Sequence, residues 1–194
     1  MAGASTVVLR APSILKVPTP RGYGAPGVAF LLGTWHVTHS TLPMWRNKRN
    51  VRISYSRLAP SSPSIAAEET DRLDDVVTYQ SLDSDKVHTV HGVDKSSGET
   101  RDTWDWRGSG WLKIASSHWE VLGWGNEGGT GADNSWVVTY FAKTLFTPAG
   151  VDVYSRRQQG LSQDTVQQIK AVLIAIEGQE FRALAESLFD IDTE

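Results

Sequence analysis

Short segments in which apolar and polar residues alternate fill the middle of the chain, from Phe30 to residue 157. Alternation with a period of two places every second side chain on one face, which is typical of half-buried β-strands. Because no helical pattern intervenes, we expect an antiparallel meander that closes as an up-and-down barrel and so removes both sheet edges. The pattern predicts nine strands, near residues 33–40, 50–59, 74–81, 86–93, 100–107, 111–116, 118–125, 135–146 and 151–157.

A helical pattern replaces the alternation after Leu161. Ser162 is a favourable N-cap, and Asp164 lies in the first turn, where the helix dipole stabilises a carboxylate. Gly178 is a typical C-terminal stop, and a shorter helix is predicted over residues 179–188. The apolar stripe of the first helix predicts packing against the outside of the barrel. The stripe consists of Val166, Ile169, Val172, Leu173 and Ile176.

The 194 residues divide into an N-terminal arm (1–27), a barrel (28–160) and a C-terminal helical segment (161–194). With 40% hydrophobic residues the chain can bury a core, and a net charge of −3 argues against a nucleic-acid partner. The absence of Cys excludes disulfides, a thiol nucleophile and cysteine metal ligands. Eight Trp residues require a large aromatic core or an aromatic-lined cavity.

The N-terminal arm is not typical of an export signal. Its apolar run, Thr6 to Leu9, is interrupted by Arg10 and followed by Pro12. A secretory signal requires an unbroken apolar stretch of about 7–15 residues. No segment approaches the roughly 20 apolar residues of a transmembrane helix. The sequence therefore predicts a cytoplasmic protein without a transmembrane segment.

Three segments resemble the lipocalin family. Phe30–Trp35 contains a Gly-x-Trp motif that is similar to the N-terminal signature of that family. Lys48–Tyr55 resembles the second strand of bacterial-type lipocalins, and Val153–Arg156 with the following helix resembles the end of that subgroup's chain. The resemblance covers residues 28–190 and implies an all-β, up-and-down antiparallel lipocalin-like barrel with a C-terminal helix packed outside.

The resemblance also implies a structural pair at one end of the barrel. In the family, an Arg of the last strand stacks on the signature Trp through a cation–π contact. That pair is Trp35 and Arg156 here, with Arg157 as the neighbouring alternative. Haem binding, as in cytosolic lipocalin-like barrels, is disfavoured because no His follows His118, whereas those barrels take their ligand from near the C-terminus.

Strict alternation, with Trp35 facing inwards, predicts an aromatic cavity that contains a few polar groups. Such a lining is typical of a small-molecule site. The expected polar groups are His39, Tyr55, His118, Glu120 and Tyr140. The expected ligand-binding aromatic residues, besides Tyr55, are Trp104, Trp106, Trp124 and Trp136.

His118 and Glu120 lie two residues apart on one strand and therefore share a face. Burial raises the pKa of a Glu, and a neighbouring imidazole can accept or supply a proton. The pair is therefore a candidate acid/base couple, with Tyr140 or His39 donating to a substrate carbonyl. The alternative is a surface ion pair on the barrel wall.

Two further groups of residues carry weaker signals. His36 with His39, and His88 with His91, have a spacing that points to opposite faces of a strand, so no metal site is predicted. The basic residues between Arg46 and Arg52 are interpreted as a solvated loop. The alternative for this loop is a mouth that holds a phosphate or carboxylate of the ligand.

Two functions fit this sequence. The first is a cofactor-free enzyme that cyclises or isomerises one hydrophobic molecule, as some proteins with the lipocalin fold do with natural products. The second is a non-catalytic intracellular carrier of a lipid or another hydrophobic metabolite. Fold alone does not choose between them, because function depends on the site. The sequence leaves open whether the protein forms a homodimer.

Overall fold

The computed structural model describes residues 6–98, 101–110, 115–127 and 134–193. Within these ranges, the strands are β1 (Gly33–Ser40), β2 (Lys48–Arg57), β3 (Arg72–Ser81), β4 (Val87–Ser96), β5 (Thr103–Gly108), β6 (Ser116–Glu127), β7 (Asn134–Phe141), β8 (Gly150–Ser155) and β9 (Phe189–Asp190). The α-helices there are α1 (Val28–Leu31), α2 (Gln163–Ala175) and α3 (Gln179–Glu186).

Strands β1 to β8 form a closed antiparallel barrel. Each strand pairs with the next along the chain, and β8 pairs with β1 to complete the ring. The short strand β9 adds to β1 beside His39 and Ser40. The prediction of an up-and-down antiparallel barrel followed by a C-terminal helix is therefore confirmed.

Two strand predictions differ from the structure. The segment predicted at 135–146 ends at Phe141, and the chain then passes through Pro148, which cannot donate to a strand ladder. Residues 111–114 of the strand predicted at 111–116 lie outside the described residues, and Ser116 begins β6. Among the described residues, the barrel therefore has eight strands rather than nine.

The inward faces of the strands form an aromatic interior. Trp35, Trp104 and Trp119 are each 2% exposed or less. The rings of Tyr55 and Trp119 stack with centroids 5.7 Å apart, and those of Trp119 and Trp104 with centroids 5.9 Å apart. Three parallel rings therefore cross the interior, and their burial is a major source of stability for the barrel.

A second apolar layer covers the outside of the barrel at β6 to β8. Ile169 and Leu173 of α2 and Phe181 of α3 are buried in this layer. Val7 and Leu9 of the N-terminal arm join it from the other side. The arm and the helices therefore cover the same part of the outer wall.

Among the described residues, three β-bulges affect which side chains face inwards. The register shifts between Arg49 and Arg52 in β2, where the strand pairs with β3, at Thr38 in β1, where it pairs with β8, and at Leu122 in β6, where it pairs with β7. A bulge places one extra residue in one strand and reverses the alternation beyond it. His39 therefore lies on the outer face of β1, although Trp35 and Val37 point inwards.

Arg156 closes one end of the barrel. Its guanidinium carbon lies 3.5 Å from the centroid of the Trp35 ring. The same group donates hydrogen bonds of 2.6–2.9 Å to the carbonyl oxygens of Phe30, Leu32 and Thr34. Burial lowers the pKa of Arg156 to about 10, so the side chain remains charged at neutral pH. We call this the closed end and the opposite end the open end.

Replacing Arg156 with Lys should destabilise the barrel. A lysine keeps the charge but loses the planar stack and cannot reach all three carbonyl oxygens, which should cost about 2 kcal/mol of unfolding free energy. Urea denaturation followed by Trp fluorescence measures the change. Arg157→Lys is the matched control at the neighbouring position, and an equal loss in both variants would contradict the assignment to Arg156.

Candidate functional site

Three aspartates on inward-facing positions of the barrel are almost completely buried. Asp75 is 6% exposed, Asp94 0% and Asp152 1%. Within the described part of the chain, none of them forms an ion pair with Arg, Lys or His. A buried carboxyl group without a cation is favoured in its neutral, protonated form. The interior therefore contains potential proton donors that the sequence analysis did not identify.

Asp75 and Asp94 are diagonal neighbours on β3 and β4. Asp75 pairs with Gly92 and Asp94 pairs with Leu73. The two carboxyl groups therefore face inwards from neighbouring strands, offset by two residues along the strand direction. The indole N–H of Trp119 donates a 2.7 Å hydrogen bond to Asp94 Oδ1. Asp94 Oδ2 and Asp75 Oδ1 are buried and have no hydrogen-bond partner among the described residues.

The environment changes the acidity of both carboxyl groups. Burial raises the pKa of Asp94 to about 7, although the hydrogen bond from Trp119 acts in the opposite direction. Burial also raises the pKa of Asp75 well above its usual range, and the nearby Asp94 carboxyl adds to this effect. Two carboxyl groups that interact in this way titrate as a pair.

The third carboxyl group, Asp152 of β8, lies in a more polar part of the interior. Ser40 donates a 2.5 Å hydrogen bond to Asp152 Oδ1. Burial nevertheless raises the pKa of Asp152 to about 7. Tyr154, two residues further on the same face, and Tyr55 both have a pKa raised well above the usual value, mainly by burial. Both phenols are therefore neutral hydrogen-bonding groups.

The indole of Trp106 lies against the backbone between the two carboxyl positions. A Cβ at Gly92 would lie 2.1 Å from Trp106 Nε1, so this contact requires glycine. Gly92 is the partner of Asp75, and Trp106 is the partner of Asp94 on β5. Trp104 and Trp106 both face inwards, where the sequence places them. Trp106 therefore lies directly beside the Asp75–Asp94 pair.

The open end of the barrel is lined by apolar and aromatic side chains. Inward-facing side chains near that end are only partly buried, among them Val77, Tyr79 and Phe141. A groove of about 690 Å³ lies at the same end and includes Trp106 in its lining, together with Ser116, Ser117, His118 and the loop 142–146. Leu145 and Phe146 of that loop are exposed. Trp106 therefore contacts both the interior and an apolar groove.

His118 and Glu120 lie on the outer face of β6, so their expected position in the cavity is wrong. The residue between them, Trp119, points inwards, which places both neighbours outside. His118 Nδ1 lies 2.7 Å from Asp105 Oδ1, and His118 Nε2 lies 3.6 Å from Glu120 Oε1. The hydrogen bond to Glu120 and the carboxylate of Asp105 raise the pKa of His118 to about 8. The predicted proximity of His118 and Glu120 is real, but it belongs to the outer wall.

Glu120 anchors the N-terminal arm. Arg10 Nη1 donates a 2.6 Å hydrogen bond to Glu120 Oε2, and Arg10 Nε donates a 2.9 Å hydrogen bond to Asp102 Oδ2. The Ser13 hydroxyl donates a 2.6 Å hydrogen bond to Glu120 Oε1. Burial alone would raise the pKa of Glu120, but hydrogen bonds from His118, Ser13 and Arg10 lower it to about 2. We call Arg10, Ser13, Asp102 and Glu120 the arm anchor.

The other two expected catalytic residues, His39 and Tyr140, are also not in the interior core. His39 Nε2 lies 2.9 Å from Asp190 Oδ1 of β9, because the bulge at Thr38 turns His39 outwards. Tyr140 faces outwards, and its ring lies 6.2 Å from that of Phe181 in α3. The expected positions of His39 and Tyr140 in the cavity are therefore wrong.

The two remaining tryptophans differ from each other in position. Trp136 faces outwards and is buried in the layer beneath the C-terminal helices, so its expected place in the cavity is also wrong. Trp124 lies at the closed end, where its ring is 4.7 Å from that of Phe30 and its indole N–H donates to the Gly24 carbonyl. The bulge at Leu122 separates Trp124 from the face that His118 and Glu120 share.

The described residues show no group of three metal-ligating side chains that could hold an ion. Their helices include none that is long and apolar enough to cross a membrane. What the structure defines instead is a class of protein: a closed eight-stranded barrel, in the part of the chain described, with an aromatic interior.

Comparisons with known proteins agree with this class. Lobster apocrustacyanin A1 superposes with a TM-score of 0.57 and 13% identity, covering 96% of this chain and 91% of that one. The amine-binding protein of Rhodnius prolixus, in complex with tryptamine, gives 0.56 and 12%, covering 94% and 85%. Both are lipocalins, and this chain has the lipocalin fold.

One curated relative is similar in sequence. Botcinic acid biosynthesis cluster B protein 12 of Botryotinia fuckeliana is 26% identical over 178 residues, which are 88% of this chain and 73% of the relative. No protein-family model matches the chain. The fold is therefore shown by structure, and a relationship to a biosynthetic cluster is indicated by sequence.

Removing the arm anchor should release the arm and destabilise the barrel. Arg10→Ala removes the guanidinium that the two buried carboxylates share, which should cost about 3–5 kcal/mol of unfolding free energy. Chemical denaturation measures the loss, and limited proteolysis should cut the arm faster. Lys16→Ala removes an exposed cation of the same arm and is the control. Equal behaviour of the two variants would contradict the anchor.

The buried Asp152 should make stability depend on pH. Because folding raises the pKa of Asp152 from 3.8 to about 7, its contribution is fully present below pH 3.8 and is lost as the pH rises through 7. Asp152→Asn should therefore show a weaker decline in unfolding free energy between these pH values. Urea titrations across that range test this, with the exposed Asp83→Asn as control. A wild-type slope in Asp152→Asn would contradict the shift.

Proposed function

We propose that this protein binds one hydrophobic small molecule in the barrel, through the open end, and catalyses its intramolecular cyclisation or isomerisation without a cofactor. The observation that carries the proposal is that protonatable oxygens, which have no cation as a partner, lie among stacked aromatic rings. Such a site combines apolar walls with a few placed polar groups, as small-molecule sites do. An unreactive core would be more stable with apolar side chains at these positions.

The aromatic residues would supply the positioning. Tyr55, Trp104 and Trp106 present flat faces that can hold a flexible apolar chain in a folded conformation. Holding reacting atoms together can lower a barrier by about 7–11 kcal/mol in the best intramolecular cases. A cyclisation gains most from this effect, because both reacting groups belong to one molecule.

The interior acids would supply the proton transfer. General acid–base catalysis by a positioned side chain contributes about 10²–10⁴-fold to a rate when its pKa is close to the working pH. The pKa values of Asp94 and Asp152 are both raised to about 7, which meets this condition. The tyrosine hydroxyls can add hydrogen bonds to a developing negative charge. The chain therefore offers acid–base groups without needing a metal or a cofactor.

The relative from the botcinic acid biosynthesis cluster supports an assignment to secondary metabolism. A role as a carrier is the second candidate, and the complex of tryptamine with the amine-binding protein of similar fold favours it. The two candidates differ in whether the bound molecule leaves the barrel changed.

Native mass spectrometry of the protein purified from its host, followed by organic extraction, separates the two candidates. A recovered metabolite that the fresh protein converts to an isomer of equal mass supports the enzyme. A metabolite that binds again and is recovered unchanged contradicts catalysis and supports the carrier. Heat-denatured protein is the control for spontaneous conversion.

Turnover of that metabolite should not depend on His118. Because His118 lies on the outer wall, His118→Ala should keep turnover within about threefold of the wild type. Glu120→Gln should lower stability through the arm anchor but leave ligand-induced Trp quenching in the folded fraction. Loss of turnover in folded His118→Ala would place the chemistry in the outer groove and contradict an interior site.

A further inference from the structure

The Asp75–Asp94 pair differs from an ordinary buried ion pair because it contains two acids and no base. Asp75 faces inwards between Tyr55 of β2 and Gly92 of β4, and Asp94 lies one step closer to the closed end. Each carboxyl group has one buried oxygen that lacks a hydrogen-bond partner among the described residues. Leaving such an oxygen unpartnered in a buried site is unfavourable, so a bound group that completes its hydrogen bonding would be stabilised here.

The two carboxyl groups are not equivalent. Asp94 accepts a 2.7 Å hydrogen bond from the Trp119 indole N–H, which stabilises the charged form of that carboxyl group. Asp75 has no comparable donor at its buried oxygen Oδ1. When the pair loses one proton, the geometry therefore leaves the charge on Asp94 and the remaining proton on Asp75.

We propose that Asp75 is the proton donor and Asp94 the proton acceptor in a keto–enol type isomerisation of a neutral, carbonyl-bearing hydrophobic substrate. This inference rests on the proposed function and assigns its chemistry to two residues. The unpartnered oxygen of Asp75 faces the substrate carbonyl oxygen, and the unpartnered oxygen of Asp94 faces the adjacent C–H group.

The step is balanced without any further reactant. Asp75 transfers its proton to the carbonyl oxygen, while the Asp94 carboxylate removes a proton from the carbon next to the carbonyl. The C–H electron pair forms the C=C bond of an enol, which leaves Asp75 as the carboxylate and Asp94 as the acid. Return of the Asp94 proton to a different carbon of the conjugated system, and of the enol proton to Asp75, gives an isomer and restores the pair.

The charges around the pair restrict the class of substrate. The ionisable groups that interact with it are Tyr55 of β2, Tyr154 of β8 and the outward-facing Asp74 of β3. All of them are neutral or negative, so an anionic substrate would be repelled. A cationic amine would hold Asp94 and Asp75 as fixed carboxylates and leave no proton to donate. A neutral carbonyl compound is the class that uses both members of the pair.

The first test uses the protein alone. Carboxyl NMR of protein labelled with ¹³C-aspartate follows the ionisation of Asp75 in the wild type and in Asp94→Asn. Because the Asp94 carboxylate raises the pKa of Asp75, Asp94→Asn should lower the pH at which Asp75 ionises by about one unit or more. Asp83→Asn, an exposed aspartate of the β3–β4 connection, is the control. An unchanged Asp75 titration in Asp94→Asn overturns the pair.

The second test uses three bicyclic probes of similar size and different charge: 2-tetralone, 2-naphthoate and 2-aminotetralin. We expect the wild type to bind 2-tetralone and to exchange its α-protons in D₂O, a reaction that proton NMR follows. Asp75→Asn and Asp94→Asn should each slow this exchange at least 100-fold, in the range expected for loss of a general acid or base. Asp83→Asn, in the exposed β3–β4 connection, is the control and should stay within about twofold.

The results separate this inference from the proposed function. Exchange that persists in folded Asp75→Asn or Asp94→Asn overturns the roles of these residues, even if the host metabolite is still converted. Tighter binding of 2-aminotetralin than of 2-tetralone overturns the substrate class. Failure of the wild type to exchange 2-tetralone overturns the proton transfer, and the proposed function is then judged on the host metabolite alone.

Discussion

The cost of burying a carboxyl group is the constraint on which the rest of this structure depends. A buried carboxylate must be paired with a cation, or it must take up a proton. The protein uses both solutions within one barrel. Glu120 on the outer wall is held ionised by Arg10, Ser13 and His118, and its pKa falls to about 2. Asp94 on the inner wall has no cation, and its pKa rises to about 7.

The two solutions have different consequences for function. Both oxygens of the outer carboxylate, Glu120, accept hydrogen bonds from the N-terminal arm, and these bonds attach the arm to the barrel. Asp75 and Asp94 on the inner wall each keep one oxygen that has no hydrogen-bond partner among the described residues, so they can still exchange protons or bind a ligand. In the proposed function, reactivity therefore belongs to the inner wall, and the ion pairs on the outer wall are structural.

Much of the fold could be predicted from the sequence, because alternation reports directly on half-buried strands. The bounds of β1 and the N-cap at Ser162 follow from local patterns, and the stack of Arg156 on Trp35 follows from the resemblance to the lipocalins. The site could be predicted only in part. Tyr55, Trp104 and Trp106 face inwards as expected, because the register shift of β2 lies before Arg52 and the pairings of β5 show no shift.

The errors in the site have two physical causes. His39 follows a bulge, and nothing in the sequence around Thr38 indicates that the strand contains an extra residue there. His118 and Glu120 face outwards, where Arg10 and Ser13 of the distant N-terminal arm partner Glu120, and local alternation does not report such a contact. Asp75 shares a face with Leu73 and Val77, which are apolar, and a carboxyl group within an apolar face is a sequence signal for a buried acid.

The outer and inner networks meet on β6, where Trp119 and Glu120 are consecutive residues. Trp119 points inwards and donates to Asp94, while Glu120 points outwards and holds Arg10 and Ser13. Consecutive side chains of a strand project to opposite faces of the same backbone, so fixing one of them also fixes the direction of the next. The arm anchor therefore holds in place the backbone that aims the Trp119 indole at Asp94. This connection gives the arm, whose described residues pack on the outside of the barrel, a physical route to the acidity of the interior pair.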